Sequence, residues 1–282
     1  MKKVIVKTPA KINLTLDIVG ITGGYHDIYS LVCPVRVYDE IKVAKRKDGN
    51  ITLKEKGLLS GCEKENNNAY KAAVEFIKKY KTFGADVTVK KRIPVGGGLG
   101  GSSADIAGTL IALKKLYGVK DDVTPLANAL GSDSGYMVKG GAAVISGRGD
   151  KVESTGKIPT LFLILLTDEK QCRSADSYKA FDELGRMHDG ATLKAVNALK
   201  ENDLTRFFAL LKNDLTDASA TILSDIKINI EKIKVAGADT ALMTGSGSCV
   251  YGVFKDKRAR DAAYKALKKE FGNRLIKTET VS

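Results

Sequence analysis

The stretch PVGGGLGGSSAD, residues 94–105, constrains this chain more than any other, because five of the six positions from Gly96 to Gly101 are glycine. Glycine lets the backbone enter the positive-φ region and lets a ligand approach with no Cβ in the way. A helical pattern follows at once. Ile106, Leu110, Leu113 and Tyr117 recur at three- and four-residue spacing, and Gly118 is placed to end the helix. A glycine turn that opens a helix aims several N–H groups and the positive helix end at one spot, which is an anion site suited to phosphate. Ser102 and Ser103 are placed to cap that helix or to donate to phosphate oxygens.

Two familiar phosphate patterns fit poorly. The Walker pattern requires a lysine directly after the last glycine, and Ser102 stands there instead. The dinucleotide pattern is formally met by Gly96, Gly98 and Gly101, with an acid about 20 residues on at Asp121 or Asp122. A glycine run meets that spacing almost by default, and no apolar strand precedes Asp121.

The rest of the chain frames this loop. Residues 2–7 and 12–18 alternate like strands, a turn covers Gly20–His26, and strand character returns from Leu31 to Val43. Ala72, Ala73, Phe76, Ile77 and Tyr80 share a helical face, and Val87 and Val89 mark a strand leading into the loop. GYMV (135–138) and GAAVIS (141–146) read as strands, as does Leu161–Leu166. Helices are expected around 175–185, 191–200, 203–212 and 257–271, and ALMTGSGSCVYGVF (241–254) reads as strand, glycine turn, strand. The order is mixed, which points to an α+β fold in two layers with a boundary near 150–160.

Composition narrows the function classes. The four cysteines are far apart and the two histidines lie at positions 26 and 188, so neither a disulfide framework nor a histidine-rich metal site is expected. The N-terminus lacks the apolar core of a signal peptide, and the longest apolar run, LFLILL, is far short of a membrane span, so a cytoplasmic protein with no membrane partner is expected. The net charge of +13 is scattered over lysines on helix faces, without a nucleic-acid module. An anionic small-molecule substrate accounts for it at least as well as a nucleic acid, and the latter is not expected. The sequence leaves the oligomeric state open.

The loop resembles the second motif of the GHMP kinases, the galacto-, homoserine, mevalonate and phosphomevalonate kinases, with one added glycine before the serines. KTPAKINLTLDIVG (7–20) is similar to their first motif and ALMTGSGSCVYGVF to their third, a second glycine turn that sits against the phosphate loop. GGYHDIYSL, LGSDSGYMVKGGAAVISGRGD and KNDL extend the resemblance toward the branch acting on a cytidine-diphosphate sugar alcohol of non-mevalonate isoprenoid synthesis, from about residue 5 to 255.

The resemblance implies a two-domain GHMP kinase fold, divided as 1–155 with the nucleotide loop and catalytic residues and 156–282 as the C-terminal domain. It implies an ATP-dependent kinase that uses Mg²⁺, whose protein ligands are unread. Asp133, which alone reads as a cap or turn aspartate, then becomes the base that takes the proton of a substrate alcohol. Lys11, alone one more surface lysine, becomes the catalytic lysine beside it. Asn13, two residues on, faces the same way along the strand and can bond the substrate. Tyr25 and His26 would hold a cytosine by stacking and hydrogen bonding, with Tyr178 as a second ring. Asn67, Lys91, Pro94, Gly96, Gly97, Gly98, Leu99, Gly100, Gly101, Ser102 and Ser103 would meet the nucleotide, and Gly247 would bring further backbone donors to the substrate. Two rivals remain open: a GHMP kinase for another small alcohol, homoserine- or mevalonate-like, and a non-catalytic nucleotide- or RNA-binding protein on the same fold.

Overall fold

The computed structural model describes residues 2–185 and 188–281. The chain forms two compact units, and neither is a contiguous segment. One takes the N-terminus to Ala10, Val37–Val95 and Gly100–Gly140. The other takes Lys11–Arg36, Gly96–Leu99 and everything from Gly141 onward.

The first unit packs helices on a sheet. Strand Ala85–Lys91 lies between Ile51–Gly57, which runs parallel to it, and the C-terminal part of the long strand Tyr25–Lys45, which runs antiparallel. Its residues alternate in burial, so Ala85, Val87, Val89 and Lys91 all point inward. Helices Asn68–Tyr80 and Gly101–Tyr117 cover the sheet, with Ala72, Phe76, Leu110 and Leu113 meeting Ile41, Val43, Val87 and Val89 in one core. Asn67 caps the first of these helices, accepting from the Ala69 and Tyr70 N–H groups at 2.9 and 3.4 Å. Gly118 ends the second in the left-handed conformation, as its position predicts.

The second unit is built on two sheets. Thr15–Thr22 and the N-terminal part of Tyr25–Lys45 form a hairpin around Gly23 and Gly24, and Ala142–Gly147 pairs antiparallel with the same strand. A four-stranded antiparallel sheet runs in the order Thr240–Met243, Val250–Phe254, Phe162–Leu166, Leu275–Glu279. Helices Ser174–Leu184, Leu215–Ile222, Asp225–Val235 and Lys257–Phe271 contribute Phe181, Leu215, Ile226, Ile230 and Leu267 to its core.

Two expectations are overturned here. The turn expected over Gly20–His26 narrows to Gly23 and Gly24, because Ile21 pairs with His26 and Thr22 with Tyr25. GYMV lies in a helix, Ser134–Lys139, rather than a strand. A short apolar run has no periodicity to separate the two, and here Ser134, Gly135, Tyr136 and Met137 are all buried, so no polar–apolar alternation marks either period.

Candidate active site

The glycine loop alternates its backbone. Gly96, Gly98 and Gly100 have φ of 71°, 72° and 73°, a region an L-residue enters only under strain. Gly96–Leu99 packs within the second unit against the other glycine turn. A Cβ on Gly98 would come 2.1 Å from the Thr244 carbonyl oxygen, and one on Gly245 would come 3.0 Å from the Gly98 oxygen. Backbone meets backbone there, which only glycine permits. The expectation that the third motif lies against the loop is met.

Asn13 ties that turn to the first motif. Its Oδ1 accepts from the Gly245 N–H at 3.0 Å and from the Lys11 ammonium at 2.7 Å, and its own N–H donates to Thr244 Oγ1 at 3.1 Å. Its Nδ2 donates to Ser30 Oγ at 2.8 Å. Lys11 and Asn13 are both buried and share one face of strand Lys3–Asn13, as the alternation predicts. The Lys11 N–H also donates to the Leu99 carbonyl at 2.9 Å, joining the first motif to the loop. Asn213 holds the turn from another side, its Nδ2 donating to the Met243 and Gly245 carbonyls at 2.9 and 2.8 Å. Gly247, with φ of 89°, lies in the same turn over Met243.

In the first unit, Gly101 begins the 17-residue loop helix. Gly100 occupies the N-cap and offers no side-chain cap, so the serines are not caps as expected. They lie in the first turn, Ser102 exposed and Ser103 half-buried, beside N–H groups that lack intrahelical acceptors. No acidic residue stands in that first turn, which leaves the positive helix end suited to an anion. Pro94 is half-buried ahead of the loop and Leu99 is fully buried. Asp133 is half-buried at the N-cap position of Ser134–Lys139. Lys11 belongs to the second unit and Asp133 to the first.

Lys91 and Asn67 are more deeply engaged than the sequence reading anticipates. Lys91 points into the core on the strand face of Val87 and Val89, where an ammonium is stable only with partners. It has two, Asp39 at 2.5 Å and Asp105 at 2.6 Å. Asp39 also accepts from the Arg92 and Ile93 N–H groups. Burial first, and then the neighbouring Asp39 charge against the pull of Lys91, pushes the Asp105 carboxyl up to about 7. Asn67 is 4% exposed, and its Nδ2 donates to Glu55 Oε1 at 2.9 Å.

An aromatic set lies in the second unit. The Arg148 guanidinium sits 3.6 Å from the centroid of the half-exposed Tyr25 ring. The His26 ring stacks on Tyr178, with centroids 4.7 Å apart and planes at 18°, and its Nε2 lies 2.7 Å from Asp182 Oδ1. Tyr178 therefore joins His26, and its ring face is shared with that histidine. The sequence assigns no role to Asp39, Asp105, Arg148, Asp182, Thr244 or Asn213, although Asp105, Arg148, Asn213 and Thr244 lie inside the motifs that carry the resemblance. The spacing of Tyr178 and Asp182, one helical turn, was the available signal for Asp182.

Comparison with known proteins identifies the family. The family model described as "GHMP kinases N terminal domain" matches residues 67–148, and "GHMP kinases C terminal" matches 195–273. The chain is 32% identical to a 4-diphosphocytidyl-2-C-methyl-D-erythritol kinase of Shouchella clausii, covering 97% of this chain and 94% of the relative. It is 34% identical to the kinase of the same name from Deinococcus radiodurans, over 92% and 87%. A solved 4-(cytidine 5'-diphospho)-2C-methyl-D-erythritol kinase superposes with a TM-score of 0.82 at 25% identity, over 99% of this chain and 100% of that one. No described helix is long and apolar enough to cross a membrane. With both halves of the family in order and a third of its residues shared with named kinases over nearly its full length, the chain belongs to the GHMP kinases and is an enzyme, a small-molecule kinase of a family that uses ATP.

Proposed function

We propose that this kinase transfers the γ-phosphoryl group of ATP to the 2-hydroxyl of 4-diphosphocytidyl-2-C-methyl-D-erythritol, in isoprenoid precursor synthesis in the cytoplasm. The observation that carries the choice of acceptor is the stack of His26 on Tyr178, with the exposed Tyr25 next to His26 in the chain, in the unit that also holds Lys11 and Asn13. An acceptor without a base gives such rings nothing to bind. The relatives named for this acceptor support the same reading.

The residues then have definite tasks. The N–H groups of the loop and of the first turn of its helix hold phosphate oxygens, Ser102 and Ser103 add hydroxyl donors, and Pro94 fixes the entry to the loop. Asn67 and Lys91 support the adenine side through the elements they anchor. Asp133 takes the acceptor's hydroxyl proton as that oxygen attacks the γ-phosphorus. The bond from phosphorus to the bridging β-oxygen breaks, and ADP leaves. Lys11 offsets the negative charge that spreads over the phosphoryl oxygens, with Asn13 holding its ammonium in place. The Gly245–Gly247 turn adds backbone donors to the acceptor. Mg²⁺ bound with ATP would neutralise the charge that develops on the phosphoryl oxygens, and the Ser102 and Ser103 hydroxyls in the first turn of the loop helix would be the side chains to hold it. The N-terminal family match lies within 1–155 and the C-terminal one within 156–282, the division proposed for the two domains.

The test is ADP release in the presence of Mg²⁺ with three acceptors offered separately: the cytidine compound, mevalonate and homoserine. Release with the cytidine compound alone supports the reading. Release with mevalonate or homoserine alone overturns the acceptor while leaving the kinase.

A further inference from the structure

Residues 167–173 connect strand Phe162–Leu166 to helix Ser174–Leu184, and this stretch of chain lies on both glycine turns of the second unit. The Lys170 carbonyl accepts from Ser248 Oγ at 2.5 Å. A Cβ on Gly96 would come 2.1 Å from Cδ and Oε1 of Gln171, so the Gln171 carboxamide rests on the backbone of the first turn. Ser174 Oγ lies 2.9 Å from Ser246 Oγ in the second turn, and Ser177 Oγ donates to the Ser246 carbonyl at 3.3 Å.

Arg173 stands between these contacts. Cys172 is buried and its two neighbours, Gln171 and Arg173, are exposed, so both turn away from the core. Arg173 is extended, with φ of −71° and ψ of 133°, and is the N-cap residue of the helix. Two residues of extended chain span at most about 7 Å, which keeps Arg173 within one long side chain of the carboxamide on Gly96. Nearby charges are engaged elsewhere: Asp168 pairs with Arg274, and Lys170 with Asp225. Among the described residues Arg173 has no ion pair, side-chain hydrogen bond or ring contact, and the Asp176 N–H meets only its carbonyl. A guanidinium without a protein partner offers five N–H donors in a planar fork that matches phosphate oxygens.

We propose that Arg173, with the Gln171 carboxamide beside it, binds a phosphate group where the two glycine turns meet. The backbone N–H groups of such turns direct donors at an anion but carry no net charge. The arginine adds that charge and a second pair of donors. Two ligands bring this chemistry, the polyphosphate of ATP and the diphosphate of the acceptor. The second source rests on the acceptor proposed above, and the first rests only on the kinase family.

Initial rates of ADP release with Mg²⁺, together with calorimetric ATP and ADP affinities of the full-length protein, test it. Arg173→Ala should weaken one phosphate ligand by about tenfold or more, the worth of a charged hydrogen bond. Higher ATP KM and Kd at unchanged acceptor KM assign the phosphate to the nucleotide. Higher acceptor KM at unchanged ATP affinity assigns it to the acceptor's diphosphate. Arg173→Lys keeps the charge without the fork and should recover part of the loss. Gln171→Ala should weaken the same ligand by a smaller factor. Raising KCl from about 50 to about 300 mM should weaken that ligand more in the parent than in Arg173→Ala, because the charge being screened is gone from the variant. The exposed, unpaired side chain leaves the thermal midpoint of the variants at the parent's value, which separates lost binding from lost fold. Unchanged KM for both substrates in Arg173→Ala overturns the proposal. So does an equal loss in Arg173→Lys and Arg173→Ala with the salt response of the parent. If the parent phosphorylates no cytidine acceptor, that acceptor falls by itself. ATP and ADP affinities then decide Arg173, and equal values in parent and Arg173→Ala overturn it.

Discussion

The Lys91 ammonium and a carboxylate oxygen of Asp105 lie 2.6 Å apart inside the first unit, where strand parity drives the lysine into the core and the loop helix brings the acid to it. Asp39 completes the group from the neighbouring strand at 2.5 Å. Two carboxylates share one cation, and the arrangement ties the helix that opens the glycine loop to the sheet beneath it.

Removing the cation alone leaves both acids buried and uncompensated. Lys91→Met should destabilise the protein by about 3–5 kcal/mol, the usual loss on breaking a buried pair. Urea unfolding at pH 7.5 measures it. A loss below about 1 kcal/mol would mean that the acids are neutral without the lysine.

Asp105 gives that group a pH dependence with a definite sign. Its folded-state value of about 7 lies above the ordinary carboxylate value. Between about pH 4 and pH 7 the folded chain thus holds a proton that the unfolded chain has released, and stability falls as pH rises through that window. Asp105→Asn keeps the shape of the neutral acid and should flatten the slope, leaving the variant at least as stable as the parent at pH 8. Unfolding free energies at pH 5, 6, 7 and 8 decide it, and an identical slope in parent and variant would count against the assignment.

The glycine loop answers to steric rather than electrostatic change. Gly98→Ala places a Cβ 2.1 Å from the Thr244 oxygen at a φ of 72°, so one glycine turn must move off the other. The positive φ alone strains the alanine by about 1–2 kcal/mol. ATP KM should rise by at least about tenfold if a single phosphate hydrogen bond to the loop is lost. Gly97→Ala, with 3.2 Å to the Cys249 Cβ and an ordinary φ, should be milder. Steady-state kinetics of the two variants at saturating acceptor check the ordering.

Asp133→Ala should lower kcat by about 10²–10⁴, the contribution of a general base, while nucleotide binding persists. Single-turnover rates together with ADP affinity separate the two effects. Turnover equal to the parent's would remove Asp133 from the chemistry.

Local patterns carried much of this into the sequence. The glycine run, the strand–turn–strand of 241–254 and the shared face of Lys11 and Asn13 are legible because each depends on neighbours a few residues apart. The helix over GYMV is not, since so short a run, buried from Ser134 to Met137, shows no period. The partners of Lys91 and His26 are illegible for a different reason. Asp39 is 52 positions from Lys91 and Asp182 is 156 from His26, so only the fold brings them together. Half of the Lys91 relation could still be read, because alternation with Val87 and Val89 already places that lysine inward and so demands a carboxylate.

The central claim, phosphoryl transfer from ATP to a cytidine-diphosphate sugar alcohol, is tested most directly by ³¹P NMR of the reaction mixture containing Mg²⁺, ATP and 4-diphosphocytidyl-2-C-methyl-D-erythritol. The expected result is a new phosphomonoester resonance that grows with ADP, one for one, while the cytidine diphosphate resonances persist. ADP with free phosphate and no new ester, or no change at all while mevalonate or homoserine is phosphorylated, would contradict it.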